Sequence, residues 1–322
     1  MRSARNLSGD AVSAISREPF RLARREAAAA FRMACRYDVL ADKPGNVSFE
    51  AAGHGMSAAE FLLSAKVAAD PATDIEQGLG QSILAAIEAT FVAVRCNTNL
   101  GIVLLCVPLL RASLVSHPAR DLAARLATVL TVSTLADAVA VFAAIRRANP
   151  AGLGRSNEQD VGAVPTLPLV EVMRLAAARD LVAAQYANGF DEVLNSGLLT
   201  LRRFRDETTS LAQATTACFL DFLTMNPDSH IARKHGTATA ASVQRRARAV
   251  ASRWKACEDP TARTSILRAF DTELKTEGVN PGTSADLTVA SLLALLLDTA
   301  LKTNSCGTEQ LGSTSGLQEN EP

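Results

Sequence analysis

Ten consecutive residues concentrate the chemistry of this chain. Pro227-Asp228-Ser229-His230-Ile231-Ala232-Arg233-Lys234-His235-Gly236 holds two of the four histidines, an aspartate, an arginine and a lysine. Pro227 is expected to end the apolar segment before it, Asp228 to N-cap a short helix, and Gly236 to close that helix in a left-handed conformation. His230 and Lys234, four apart, then share a face, with Arg233 beside them. Such a group of cations and hydrogen-bond donors suits a polyphosphate. A well-capped, solvated connector would use the same residues, and the stretch alone does not choose between the two readings.

Five further polar islands interrupt the apolar pattern. Lys43-Pro44-Gly45-Asn46-Val47-Ser48 offers a cation, an amide and a Pro-Gly pair that predicts a type II turn. His54 stands between two glycines, which would let the backbone approach a ligand closely. Asn97-Thr98-Asn99-Leu100-Gly101 falls at a helix start, where free N–H groups and the positive end of the dipole bind anions, or where either asparagine is simply a cap. Asp137 and Asp180 lie in otherwise apolar segments. Thr134 and Asp137 have capping-box spacing, whereas Asp180 reads as mid-helix beside Arg179, either a metal ligand or half of an Arg–Asp pair. Asn280-Pro281-Gly282-Thr283-Ser284-Ala285-Asp286 opens the last apolar helix. Thr283 there reads as a cap, and the same residues form an anion-binding helix mouth with Asp286 placed to hold Mg²⁺. No P-loop, dinucleotide fingerprint or serine or cysteine triad is present in the sequence pattern.

The elements that must position these islands are helices. Hydrophobic residues make up 48% of the 322 and aromatics 4%, and the apolar stretches are rich in Ala and Leu, which disfavours a sheet. Helical periodicity covers 18–40, 57–69, 81–95, 100–114, 117–130, 134–147, 169–186, 190–194, 207–225, 238–257, 261–277 and 281–303, with 117–130 and 134–147 expected as an antiparallel pair. The reading is all-α: one compact multi-helix domain of about a dozen helices over 18–303, a poorly ordered start at 1–17 and a disordered tail at 304–322. The long loop 149–168, with glycines at 152, 154 and 162, is expected to be functional or mobile and not a plain connector.

Lys plus Arg (33) balances Asp plus Glu (33), so no global field draws in nucleic acid or an anionic membrane, and any anion site must be local. The apolar runs 100–110 and 289–297 fall short of the roughly 20 residues that cross a bilayer, and Asp137 interrupts the longer run 128–145. Six scattered cysteines without a CxxC pair point to reduced thiols and no zinc site. The expectation is a cytoplasmic protein acting on small molecules, for which a homodimer is allowed.

Taken in order, Lys43-Pro44-Gly45, Gly53-His54-Gly55-Met56, Asn97-Thr98-Asn99-Leu100-Gly101, Asp137-Ala138, Arg179-Asp180 with Gln185-Tyr186, Asp228-Ser229-His230 and Pro281-Gly282-Thr283-Ser284-Ala285-Asp286-Leu287 resemble the triphosphoribosyl-dephospho-CoA synthase family. The resemblance spans about 31–297. It implies an all-helical enzyme that joins ATP to 3′-dephospho-CoA, releases adenine and places a 5-triphosphoribosyl group on a ribose 2′-hydroxyl, making a prosthetic-group precursor. This chain departs from that pattern in two places. It has His54-Gly55-Met56 where the family carries His-x-Asp-Met, and Lys234-His235-Gly236 where it carries Arg-Gly-Gly. The variant resembles a subgroup associated with tetrahydromethanopterin-dependent one-carbon metabolism, so a methanopterin-type acceptor is the alternative. An inactive nucleotide-binding or scaffold protein is the rival from another class.

Under the resemblance, ATP is a substrate and the retained triphosphate is a handle. Lys43, Asn46, Asn97, Asn99, Arg233, Lys234, Gly282, Thr283 and Ser284 are the expected binding residues. Mg²⁺ would bridge phosphate oxygens to Asp180, Asp228 or Asp286. Asp137 or Asp180 would take the proton of the attacking hydroxyl, and His54 or His230 would act as acid near adenine.

Overall fold

The computed structural model describes residues 20–49, 53, 55–208 and 210–303. The stretches expected to be poorly ordered at 1–17 and 304–322, together with His54, lie outside the described residues. Within them the chain is helical throughout. The first half comprises α1 (Arg24–Leu40), α2 (Ala58–Ala72), α3 (Leu79–Val94), α4 (Leu100–Leu114), α5 (Leu122–Thr131), α6 (Leu135–Ala148) and α7 (Leu169–Ala176). The second comprises α8 (Leu181–Asn188), a π-helical turn (Glu192–Gly197), α9 (Leu198–Thr208), α10 (Leu211–Met225), α11 (Ser229–His235), α12 (Thr237–Ala256), α13 (Pro260–Thr276) and α14 (Gly282–Thr303). Extended pairing among the described residues is confined to two isolated bridges, Phe20 with His117 and Gly53 with Met56.

Two helices form the centre. In α4 every residue from Ile102 to Leu110 is buried, and α14 buries nearly its whole circumference against α1, α4, α9 and α10. Helices apolar on all sides must lie inside. α14 is also the helix, among the described residues, long and apolar enough to span a bilayer. Of its most apolar window, 78% is buried in the fold, as expected for a core helix.

The structure departs from the periodicity in several places; α9 (Leu198–Thr208) falls where no helix is expected, and the segment 207–225 becomes helical as α10 only from Leu211. Residues 20–22 pair with the last turn of α4 and the segment after it through Phe20, Leu22, Ser113 and His117, so the first helix begins at Arg24 and not at 18. α5 and α6 do not lie antiparallel, because the chain turns through 98° between them and α6 packs on α3. The segment 169–186 breaks after Ala176, and Asp180 starts a new helix by accepting from Val182 N (2.9 Å) and Ala183 N (3.1 Å). After α8, Gly189 and Phe190 both take positive φ and redirect the chain into the π turn.

One bond ties α8 to the central helix. Pro108 sits inside α4 and has no N–H, which removes the donor that Leu104 O would meet one turn on. The hydroxyl of Tyr186 on α8 donates to that carbonyl at 2.5 Å.

Candidate active site

The N-termini of four helices meet at one place. Asp228 N-caps α11 through Ile231 N at 3.1 Å, and its other oxygen accepts from Ser284 N (2.7 Å) and Ser284 Oγ (2.8 Å) in the first turn of α14. Thr283 of α14 reciprocates, its hydroxyl accepting from His230 N at 3.1 Å and lying 3.0 Å from Ser229 Oγ. Ser229 also accepts from Leu181 N, the first residue of α8, at 3.1 Å. α4 joins through Gly101, where an added Cβ would lie 2.0 Å from a carboxylate oxygen of Asp286. Only glycine leaves room for α14 to press its acid against that helix start. Four positive dipole ends therefore face one region, with first-turn N–H groups of Leu100, Leu181, Ile231 and Ser284 already met by side-chain oxygens.

This region floors a cleft of about 1190 Å³, walled by the start of α4, the loop 149–161, α7, the start of α8, α11 and the mouth of α14. Phe61, Leu104, Phe142, Val172 and Met173 make part of its lining apolar. The volume exceeds the usual range of ~300–1,000 Å³ for a single-ligand pocket. Ten of the residues singled out in the sequence line it: Asn46, Asn97, Asn99, Asp180, His230, Arg233, Lys234, Gly282, Thr283 and Asp286. The Pro227–Gly236 stretch does form a short capped helix facing the cleft. Gly236 has φ +89° with ψ 158°, outside the left-handed helical region, because it passes directly into α12.

Other expected residues are not on its wall. Lys43 is fully buried, 2.5 Å from Asp38 and 2.6 Å from Asn46 Oδ1. Asp137 completes the Thr134 capping box and accepts from Gly80 N at 2.8 Å, a structural occupation of both oxygens. Asp228 is 0% exposed and its oxygens are spent on α11 and α14. Ser284 is buried with it. Thr283, read as a cap of its own helix, instead serves α11.

Asp180 divides its oxygens between its own helix start and Arg233, whose Nη1 is 3.3 Å away. Arg233 also donates from Nε to Ala151 O at 3.1 Å, fastening the loop to α11. Lys234 is exposed at the cleft edge. The Asn97–Asn99 island both caps and packs: Asn97 accepts from Leu100 N (3.1 Å), and Asn99 reaches Thr90 (3.0 Å).

Asp286 is the least engaged acid, with no hydrogen bond or ion pair among the described residues. Burial, then the nearby Asp38 and Asp228 carboxylates, push its pKa well up, while Lys43 and Arg233 pull the other way. Burial likewise raises Asp38 against the opposing pull of Lys43, and raises Asp228 against its hydrogen bonds from Ser284 and Ile231. Asp38 was not singled out in the sequence, although a signal exists. It falls on the buried stripe of α1 formed by Ala27, Ala28, Phe31, Ala34, Cys35, Asp38 and Val39, where a charge is out of place.

The acids among the described residues do not assemble a resident metal centre. Among the described residues no group of three or more His, Cys, Asp or Glu side chains converges on a metal position. Of the three expected ligands, Asp228 is occupied by helix caps and Asp180 by its cap and Arg233, which leaves one free carboxylate.

Comparison with known proteins agrees with this architecture. The sequence pattern of the ATP:dephospho-CoA triphosphoribosyl transferase family matches residues 24–305. The fold is similar to the crystal structure of a candidate triphosphoribosyl-dephospho-CoA synthase from Archaeoglobus fulgidus, with a TM-score of 0.55 and 22% identity over 74% of this chain and 98% of that one. At that identity the likeness is one of fold. No curated protein matches the chain in sequence.

Proposed function

This chain belongs to the ATP:dephospho-CoA triphosphoribosyl transferase family, and from that premise we propose that its cleft binds ATP by the triphosphate and transfers the triphosphoribosyl unit to a hydroxyl of a second substrate, releasing adenine. The observation that carries this reading is the meeting of four helix N-termini beside Arg233 and Lys234. That arrangement supplies a polyanion with converging positive dipole ends and cationic partners in a chain of zero net charge. The cleft volume supports two substrates side by side.

In the transfer, the bond between ribose C1 and the adenine nitrogen breaks and a bond from C1 to the acceptor oxygen forms. The acceptor hydroxyl gives up a proton, and the departing adenine takes one up. Positive charge develops on the ribose in between, as in glycoside hydrolysis. Holding the unreacted triphosphate positions the sugar for attack. Arg233 and Lys234, with the helix starts at Asn97–Asn99 and Gly282–Thr283, are assigned to that handle. Asp180 on the cleft wall remains the candidate to receive the acceptor proton, and His230 the candidate to serve adenine. His54 keeps its proposed role from the sequence alone. Asp137 and Lys43 lie off the wall and are withdrawn from direct contact with substrate. The carboxylates among the described residues do not fit a resident Mg²⁺ centre. Magnesium would arrive as part of the nucleotide.

The acceptor proposed is 3′-dephospho-CoA. The departure at His54-Gly55-Met56 favours, as a second reading, a pterin-type acceptor with the same ATP half-reaction. Calorimetric titration of the full chain with ATP, then with ATP after saturation with inorganic triphosphate, tests the handle. Competition supports it, and ATP binding indifferent to triphosphate overturns it.

A further inference from the structure

The buried Lys43 is tied to the cleft by hydrogen bonds whose direction is fixed. An ammonium group donates and never accepts. Lys43 Nζ lies 2.5 Å from Asp38 and donates to Asn46 Oδ1 at 2.6 Å, so the amide of Asn46 must turn its oxygen to the lysine. Its NH₂ group then points the other way and donates to Asn280 Oδ1 at 2.9 Å. With that oxygen committed, the polar group left on Asn280 is its own NH₂. Asn280 is 8% exposed, lines the cleft, and its NH₂ has no partner among the described residues.

The local backbone holds the relay in register. Gly45, with φ +81°, lets the Lys43–Asn46 turn close through Asn46 N to Lys43 O at 2.9 Å, the turn expected from the Pro-Gly pair. A Cβ on Gly45 would lie 2.8 Å from Pro281 Cδ, so the turn is pressed against the residue that follows Asn280. Gly45 N also donates to Asp271 Oδ1 at 2.8 Å. The turn cannot slide without losing these contacts.

We propose that Lys43 is a positioning residue, and that its fixed polarity, passed through Asn46, makes Asn280 an obligate hydrogen-bond donor to a phosphate oxygen at the mouth of α14. This rests on the nucleotide reading above. The oxygen end of the Asn280 amide would repel that phosphate, so the cleft needs the orientation set as well as the residue present.

Three variants of the full chain separate orientation from mere structure. Asn280→Asp still accepts from Asn46 but turns an oxygen to the cleft. Asn280→Ala removes the donor without reversing it, and leaves the Asn46 NH₂ unpaired. Asn46→Asp still accepts from Lys43 but cannot donate, so Asn280 must turn its NH₂ inward and its oxygen outward. Titration with inorganic triphosphate is expected to weaken roughly tenfold or more for Asn280→Asp and Asn46→Asp, and less for Asn280→Ala. Thermal unfolding is expected to rank the two Asn280 variants the other way, with alanine the less stable. A purely structural Asn280 gives the same rank in both measurements and overturns the proposal. Should the unaltered chain bind no triphosphate, the nucleotide reading fails. The relay is then read by nitrogen-15 NMR of the side-chain amides, where slow exchange at Asn46 with fast exchange at Asn280 upholds the fixed polarity and slow exchange at Asn280 refutes it.

Discussion

Asp228 and Ser284 stand 56 residues apart in the chain, and one carboxylate oxygen of Asp228 accepts both the N–H of Ser284, at 2.7 Å, and its hydroxyl, at 2.8 Å. With the other oxygen on Ile231 N, this acid locks the start of α11 to the start of α14. The read of Asp228 as a metal ligand predicts lost turnover with an intact fold. The observed geometry predicts a stability defect. Asp228→Ala strands buried donors on two helices and is expected to cost about 3 kcal/mol, with Asp228→Asn costing less because its amide oxygen can still accept. Urea unfolding measures both.

Asp286 makes the opposite prediction. Its folded pKa is raised, so the folded chain prefers it protonated. Its contribution to stability is complete below the ordinary carboxylate range and is lost as pH rises through the folded pKa. Asp286→Asn removes that loss. The variant is expected to match the parent chain in acid and to exceed it by about 1 kcal/mol at neutral pH. Denaturation curves of both chains at pH 4 to 8 test it, and a gap that does not widen as pH rises contradicts it.

Tyr186 and Pro108 are coupled through Leu104. Tyr186→Phe leaves a buried carbonyl without a donor and is expected to cost about 1–2 kcal/mol. In a Pro108→Ala background the new N–H can meet Leu104 O within α4, so the same change is expected to cost much less. A double-mutant cycle in urea reads the difference as the coupling energy.

The helical class was legible because Ala- and Leu-rich segments repeat with a period that no sheet would use, and α4, α12, α13 and α14 lie where their periodicity put them. The Thr134–Asp137 capping box was legible for the same local reason. What failed depended on distant partners. The break before α8 is held by Ser229 on Leu181 and Arg233 on Asp180, 48 and 53 residues away, which periodicity within 169–186 cannot register. Lys43 reads as a phosphate handle by type, and only the burial of Asp38 beside it makes it an internal counter-ion. The ordered islands did mark the cleft. Which of their polar atoms face it depends on who satisfies whom across four helix starts, and that is a property of the assembled fold.

The most direct test of the account is adenine release from ATP by the full chain, with and without 3′-dephospho-CoA, followed by the mass of the product. Adenine is expected only when the acceptor is present, with the acceptor heavier by a triphosphoribosyl unit. Release of ADP or phosphate in place of adenine, with the nucleotide's base still attached to its ribose, would contradict it.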